Sequence, residues 1–319
     1  MPRAVRTDIV QPDGRHVHLY GDFEPAPAGY RAPAMPNGVY QRRWNPLRRE
    51  WVLVAASRQG RTFLPERADC PLCPSRPEHS SEIPAARFQA AVFENRFPAM
   101  VPWPPAGGLC EVVVYTDEHD GSFATLPSDR LDRLAEVWTD RYRELTARRG
   151  IKYVFIFENR GEEVGVTLHH PHGQIYAYPF VPPVAATELG RHAGGCLLCE
   201  LVRDELTARR RVLINEEGIV AYVPESARWS YEVHVATRAH RPALPDVPPA
   251  GRRGFHQRHA RRGIGGSPAQ LARVGQSHTW RSKHVFSSYA RPTGPRWRLT
   301  AHAEPKNIAP HRCRGRAPC

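Results

Sequence analysis

Residues 168–177 read Leu-His-His-Pro-His-Gly-Gln-Ile-Tyr-Ala. Hydrophobic alternation resumes after Gly173, so the stretch is expected to run into a strand. Side chains on a strand alternate faces with a period of two. His170, His172 and Gln174 are therefore expected on one face, beside a glycine where a ligand could approach the backbone. Two imidazoles and an amide in a row suit phosphate chemistry. One His can ligate a metal or stay fixed, the other can attack phosphorus, and the amide can donate to an oxyanion. A lone His is usually structural or solvated, but an alternating set with Pro and Gly between argues for chemistry.

A second group of reactive side chains lies upstream. Cys70-Pro71-Leu72-Cys73 has knuckle spacing, with two thiolates able to face one tetrahedral zinc, although a C-x-x-C can also be a redox pair. His119 and His170 complete a set of four ligands for a closed structural site, which would pin His170 and orient the strand carrying His172. His172 would then be the unligated nucleophile. A neutral imidazole can attack the α-phosphorus of a nucleoside diphosphate sugar, hold the nucleotide covalently and pass it to a second sugar phosphate. Ser57-Arg58-Gln59-Gly60-Arg61 is a loop with two guanidiniums suited to phosphate oxygens, or else a solvated basic turn.

The elements that must position these groups follow from periodicity. Residues 1–39 are Pro-rich and read as irregular. Strands are expected at 51–55, 89–93, 111–116 and 153–157, and a helix over 128–149 with Leu131, Leu134, Trp138 and Leu145 on one face and Gly150 as its stop. The later chain repeats the earlier one. Cys196-Leu197-Leu198-Cys199 echoes the first C-x-x-C, and Glu232 and His240 stand eight apart, as do Glu111 and His119. This spacing implies a duplicated unit of about 120 residues, complete in the first copy and broken near residue 247 in the second. Cys196, Cys199 and His240 read as a second zinc site or a metal-free relic. The organisation expected is an irregular 1–39, a first unit at 40–190, the start of a related unit at 191–247 and a basic tail at 248–319.

At this point the chain resembles a known family. His-Pro-His-Gly-Gln after Glu158-Asn159-Arg160-Gly161 is similar to galactose-1-phosphate uridylyltransferases, a transferase branch of the histidine-triad superfamily. The likeness covers roughly 40–245 and includes Arg42-Arg43-Trp44-Asn45-Pro46-Leu47, the C-x-x-C, Phe93-Glu94-Asn95-Arg96-Phe97-Pro98, Asp117-Glu118-His119 and the eleven-residue spacing from Asn159 to His170. It implies an α+β fold, a duplicated histidine-triad-like unit of antiparallel half-barrel sheets with outer helices. It implies UMP transfer from UDP-glucose to galactose 1-phosphate through a uridylyl group on His172, with Gln174 donating to its phosphate. Asn159 and the Gly165-Val166-Thr167 turn would hold phosphates, and Asn95 and Arg96 would meet the nucleoside. Arg58 and Arg61 would reach the phosphates or hexose from the partner subunit of a homodimer. One zinc would sit on Cys70, Cys73, His119 and His170, and Glu188 fits the first ligand of a second metal that some members hold. Residues 297–302 are similar to a Trp-x-Leu-His-x-His stretch of the family, but Thr300 stands where a His is expected, and the family's hexose-binding Lys-x-x-x-x-Gly-x-Glu region is not visible.

Bulk properties narrow the alternatives. No apolar run approaches the roughly 20 residues that span a bilayer, and the first residues lack the apolar core of a signal peptide. Seven Cys, four of them in C-x-x-C pairs, suit metal binding in a reducing compartment, so the protein is read as cytoplasmic. The net charge of +13 is concentrated at one end: residues 251–319 hold 13 Arg, 2 Lys and one acid, while residues 1–250 hold 30 bases and 31 acids. The body is nearly neutral, which argues against nucleic acid as its partner. The tail, aperiodic and poor in aliphatics, reads as a disordered basic arm or a shifted reading frame; 42 Arg against 3 Lys imply a GC-rich gene. Two rival functions remain: another nucleotidyl transferase or phosphorylase of the same superfamily, and a zinc-stabilised nucleic-acid-binding protein that uses the tail.

Overall fold

The computed structural model describes residues 5–103, 107–160, 166–190, 195–216, 218–227, 232–249 and 251, and the backbone of 286–287. Gly165, residues 297–302 and nearly all of the basic tail lie outside them. In chain order the strands are β1 (Arg6–Val10), β2 (His16–Pro25), β3 (Tyr40–Asn45), β4 (Glu50–Ala55), β5 (Ala85–Glu94) and β6 (Leu109–Val114). They continue as β7 (Tyr153–Phe157), β8 (His172–Tyr178), β9 (Val212–Glu216), β10 (Ile219–Tyr222), β11 (His234–Thr237) and β12 (Phe286–Ser287). The helices are α1 (Ser128–Ala147), α2 (Pro183–Gly190) and α3 (Leu197–Ala208).

Seven strands form one sheet in the order β1-β2-β5-β6-β8-β7-β12, every neighbouring pair antiparallel. β9, β10 and β11 form a second antiparallel sheet, and β3 and β4 pair only with each other. No sheet closes into a barrel among the described residues. The expected α+β class with antiparallel sheets is what the chain adopts.

Helix α1 covers one face of the long sheet. Leu131, Leu134, Trp138, Tyr142 and Leu145 recur every three or four residues and pack on Ala90, Val92, Val113, Tyr115, Val154, Ile156, Ile175 and Ala177, the strand residues that alternate toward it. The helix ends two residues short of the expected 149, and Gly150 follows at φ +90, a conformation that costs a residue without Cβ little. The other face holds Val17, Leu19, Ala91, Phe93, Val112 and Val114, on which Cys70 and Leu72 of the first C-x-x-C pack. The two cores thus divide the work: one anchors the sheet, and the other seats the knuckle.

The α1 side is also tied by charge. Arg141, fully buried, donates from Nε to Glu111 Oε2 at 3.0 Å and from a terminal nitrogen to Oε1 at 2.6 Å. Arg6 of β1 reaches Asp140 and Glu144 on the helix at 2.8 and 2.7 Å, and the Tyr20 hydroxyl donates to Asp140 at 2.8 Å.

The reading of 1–39 as irregular is corrected here. β1 and β2 lie in this stretch and are integral to the sheet, with β2 bonded to β5. Their pattern is hard to see because the β2–β5 register shifts between Tyr20 and Phe23, where Gly21 sits at φ +77, and the bulge interrupts the period of two. The strand expected at 51–55 exists, but in the separate β3–β4 hairpin.

The second C-x-x-C lies at the start of α3 and is followed by the antiparallel strands β9–β11 and then by His240, around a small core of Val202, Val220 and Tyr222. Beyond β11, Ala243 and Leu244 pack against the α1 core.

Candidate active site

Strand β8 begins at His172. His172, Gln174, Tyr176 and Tyr178 are half-buried on its open face, while Gly173, Ile175 and Ala177 are buried on the α1 side. His172 stands opposite Val114 and Gln174 opposite Val112, both in the core that seats the knuckle. The shared face expected for His172 and Gln174 is therefore present.

His170 precedes the strand and is buried, with Nε2 2.8 Å from the carbonyl oxygen of Thr116. A carbonyl only accepts, so Nε2 carries the proton and Nδ1 keeps its lone pair. That Nδ1 lies 3.5 Å from Cys73 Sγ, and His119 Nδ1 lies 3.2 Å from the same sulfur. One ligand atom from each of Cys70, Cys73, His119 and His170 falls within 4.8 Å of the others. Two sulfurs and two imidazole nitrogens at this separation fit one tetrahedral ion, and a ligand His that donates its other N–H to a carbonyl is held in the correct tautomer. The hydrogen bond with Cys73 and the nearby His170 pull the Cys70 thiol down, while Cys70 pushes Cys73 up. A divalent ion would favour both thiolates.

His172 is fixed differently. Its Nδ1 is 2.7 Å from the His170 carbonyl oxygen, so Nδ1 donates and Nε2 is left with its lone pair. Burial pushes its pKa below the ordinary histidine value, which favours the neutral ring. The backbone of buried His170 thus orients the His172 imidazole and leaves its Nε2 with a lone pair. The role expected of Gly173 is corrected: its bare side does not face a ligand. A Cβ there would collide with the Tyr115 hydroxyl and sit 3.0 Å from the Phe157 carbonyl.

The remaining residues fall into three groups. Asn159 follows β7 and is half-buried, as are Val166 and Thr167; the Thr167 carbonyl accepts from Leu64 N at 2.8 Å, which ties the arginine loop to the segment before His170. Arg58 donates to the Phe97 carbonyl at 3.2 Å and reaches the Tyr176 hydroxyl at 3.5 Å, and Arg61 is exposed but close enough to act on Tyr176 electrostatically. The loop expected to serve a partner subunit thus lies against its own chain's β8. Asn95 uses its side-chain oxygen to accept from Phe97 N at 2.8 Å, and Arg96 is held by buried Glu82 at 2.9 Å and stacks over Phe97.

Glu188 is exposed on α2 and joins neither cluster of metal-ligating residues found among the described residues. The second such cluster is Cys196, Cys199 and His240, with Cys199 Sγ 3.3 Å from His240 Nδ1. Sequence reasoning missed Tyr115, which packs against Gly173, Glu158, which accepts from the Tyr115 hydroxyl, and Tyr176, which meets Arg58. Only Glu158 had a signal, as the first residue of the Glu-Asn-Arg-Gly loop.

Comparison with known proteins bears on this arrangement. The family model for the N-terminal domain of galactose-1-phosphate uridyl transferase matches residues 33–182, which hold the four-ligand cluster, His172 and Gln174. Galactose-1-phosphate uridylyltransferase of Thermotoga maritima is 38% identical over 62% of this chain and 66% of its own length. That of Streptomyces lividans is 43% identical over 62% of this chain and 56% of its own length. The chain belongs to the galactose-1-phosphate uridylyltransferase family. A solved uridylyltransferase structure, 27% identical, superposes with a TM-score of 0.59 over 70% of this chain and 73% of that one. The chain spans less than two thirds of the length of the two curated family members just named. The match to the family's N-terminal domain begins after β1 and β2, although both strands belong to the sheet that carries the site.

Proposed function

We propose that this chain transfers UMP from UDP-glucose to galactose 1-phosphate, giving UDP-galactose and glucose 1-phosphate. The observation that carries the reading is the tautomer of His172: Nδ1–H is committed to the His170 carbonyl at 2.7 Å, which leaves Nε2 as the nucleophile on the same face as Gln174. In the first half-reaction Nε2 attacks the α-phosphorus, and the bond from that phosphorus to the oxygen of the glucose 1-phosphate leaving group breaks. In the second, a phosphate oxygen of galactose 1-phosphate attacks the same phosphorus and the P–N bond breaks. Gln174 donates to the phosphate oxygens, and Arg58, Arg61 and Asn159 hold the charged groups that arrive and leave. Asn95 and Arg96 flank the nucleoside, with Arg96 oriented by Glu82.

The same reading assigns zinc to Cys70, Cys73, His119 and His170, where it fixes the His170 backbone that orients His172. Copies of the chain pair as a homodimer. The β3–β4 hairpin supports this, because Trp44, Trp51, Val52 and nearby Leu47 and Phe63 are exposed on an element paired only with itself. No described helix is long and apolar enough to cross a membrane, and the free thiols suit a cytoplasmic enzyme.

Single-turnover incubation with UDP-glucose labelled on the α-phosphate tests the transfer. Acid-labile, base-stable label that galactose 1-phosphate removes is the expected result. Label that forms but resists galactose 1-phosphate would overturn the acceptor, and preferential labelling by ADP-glucose would overturn the donor. The metal assignment has its own test. Cys70→Ser is expected to lose one zinc per chain and about 3 kcal/mol of stability, a drop of about 6–12 °C in Tm. A zinc count unchanged from the parent protein would sink it. Zinc that remains in this variant would sit on Cys196, Cys199 and His240.

A further inference from the structure

Tyr115 sits directly behind the nucleophile. Its ring is held edge-on by Trp138 of α1 at 6.1 Å and by Phe123 at 6.0 Å, and its backbone N–H donates to the Pro171 carbonyl at 3.1 Å, one residue before His172. Its hydroxyl fills the space left by the missing side chain of Gly173, between His172 and Gln174. From there it donates to Glu158 Oε2 at 3.2 Å. The β7–β8 register ends at Phe157↔Gln174, so Glu158 is the first residue beyond the ladder. The next residue is Asn159. One buried residue therefore meets the backbone on both sides of His172, through its amide at Pro171 and its hydroxyl at Gly173, and the same hydroxyl holds the segment that delivers Asn159.

We propose that Tyr115 and Glu158 form a positioning pair that sets the distance between the His172–Gln174 strand and the Asn159 segment, so that nucleophile and phosphate-holding residue move as one unit. The proposal rests on the function given above. Neither residue touches the reacting atoms. The phenol remains a donor because burial and the neighbouring Glu158 hold its pKa well above the ordinary tyrosine value. Burial pushes the Glu158 carboxyl up to about 7 despite the nearby Arg160 and the Tyr115 hydroxyl, which act to lower it. A carboxyl with that much to lose on burial needs a donor, and Tyr115 supplies one. The coupling matters because a misplacement of about 1 Å in a reacting pair can cost on the order of a hundredfold in rate.

The test compares Tyr115→Phe, Glu158→Leu, Glu158→Gln and the double variant Tyr115→Phe/Glu158→Leu. Single-turnover labelling by UDP-glucose gives a limiting rate and a half-saturating concentration. Backbone hydrogen exchange follows residues 157–160 and 172–174, a readout that does not depend on the donor's identity. Tyr115→Phe is expected to lower the limiting rate by about tenfold or more, with half-saturation changed less than about threefold. Exchange in both segments should rise together by about five- to tenfold, with zinc content unchanged. Glu158→Leu should match it, Glu158→Gln should retain most of the rate because its carbonyl still accepts, and the double variant should be no slower than the worse single. A parent-like rate in Tyr115→Phe, loosening of only one segment or of neither, or additive losses in the double variant would each overturn the pair. If the parent chain takes no label from UDP-glucose, the proposed function fails, and the exchange data still decide whether the two segments are coupled.

Discussion

His172→Ala is expected to eliminate labelling of the protein by UDP-glucose, with the single-turnover rate falling at least about 10⁴-fold. The size of the effect follows from the route. If the nucleotide passes through a P–N bond to Nε2, no other group on the β8 face can replace it: Gln174 has no nucleophilic lone pair on nitrogen, and the two tyrosines are phenols in a half-buried environment. His170 is no substitute either, because its Nε2 is committed to the Thr116 carbonyl and its Nδ1 faces the sulfur of Cys73. The change should cost little stability. His172 is only half-buried, and the variant loses one hydrogen bond to a carbonyl, a net effect of about 1 kcal/mol. Rapid-quench labelling together with a thermal melt separates the two outcomes. Normal labelling by a folded His172→Ala protein would falsify the covalent route.

Arg141→Met is expected to cost about 3–5 kcal/mol, the largest loss foreseen for a residue outside the active site. Arg141 and Glu111 are almost fully excluded from solvent and meet through two hydrogen bonds, at 3.0 and 2.6 Å. Removing the guanidinium leaves a carboxylate on β6, in register between β5 and β8, without the two hydrogen bonds that Arg141 supplies. The loss should be recovered in large part by Arg141→Met/Glu111→Leu, which removes both charges and keeps the volume apolar. Urea titration of the three proteins is the check. A double variant as unstable as the single one would show that packing around Arg141, not the orphaned charge, sets the cost. The pair also bears on function at one remove, because Glu111 lies opposite Ile175, one residue from Gln174.

Much of this protein was legible in its sequence. β7 falls at the expected 153–157 because a continuous apolar run bounded by polar loops has few other conformations. α1 was readable from a stripe at i, i+3 and i+4. The C-x-x-C fixes two sulfurs by local geometry, and period-two alternation alone puts His172 and Gln174 on one face. Cys70, Cys73, His119 and His170 were readable as one candidate ligand set from their residue types, and the fold brings their ligand atoms within 4.8 Å of one another.

What the sequence did not show is which distant groups meet. β1 and β2 were hidden by a bulge at Gly21 and by Pro-rich surroundings. The His170 tautomer is set by the Thr116 carbonyl, 54 residues away, which captures its Nε2–H. Gly173 is a glycine for the sake of the Tyr115 hydroxyl behind it, not of a ligand in front, and Arg96 points where Glu82 holds it. Arg141 on the helix and Glu111 on the strand are charges that the fold buries together. Periodicity and motif spacing are properties of neighbouring residues, so the chain alone determines its elements and the types of its reactive groups. A tautomer, a buried ion pair and the orientation of a side chain depend on a partner that only the tertiary structure brings within hydrogen-bond distance, as the His170 carbonyl does in leaving Nε2 of His172 with its lone pair.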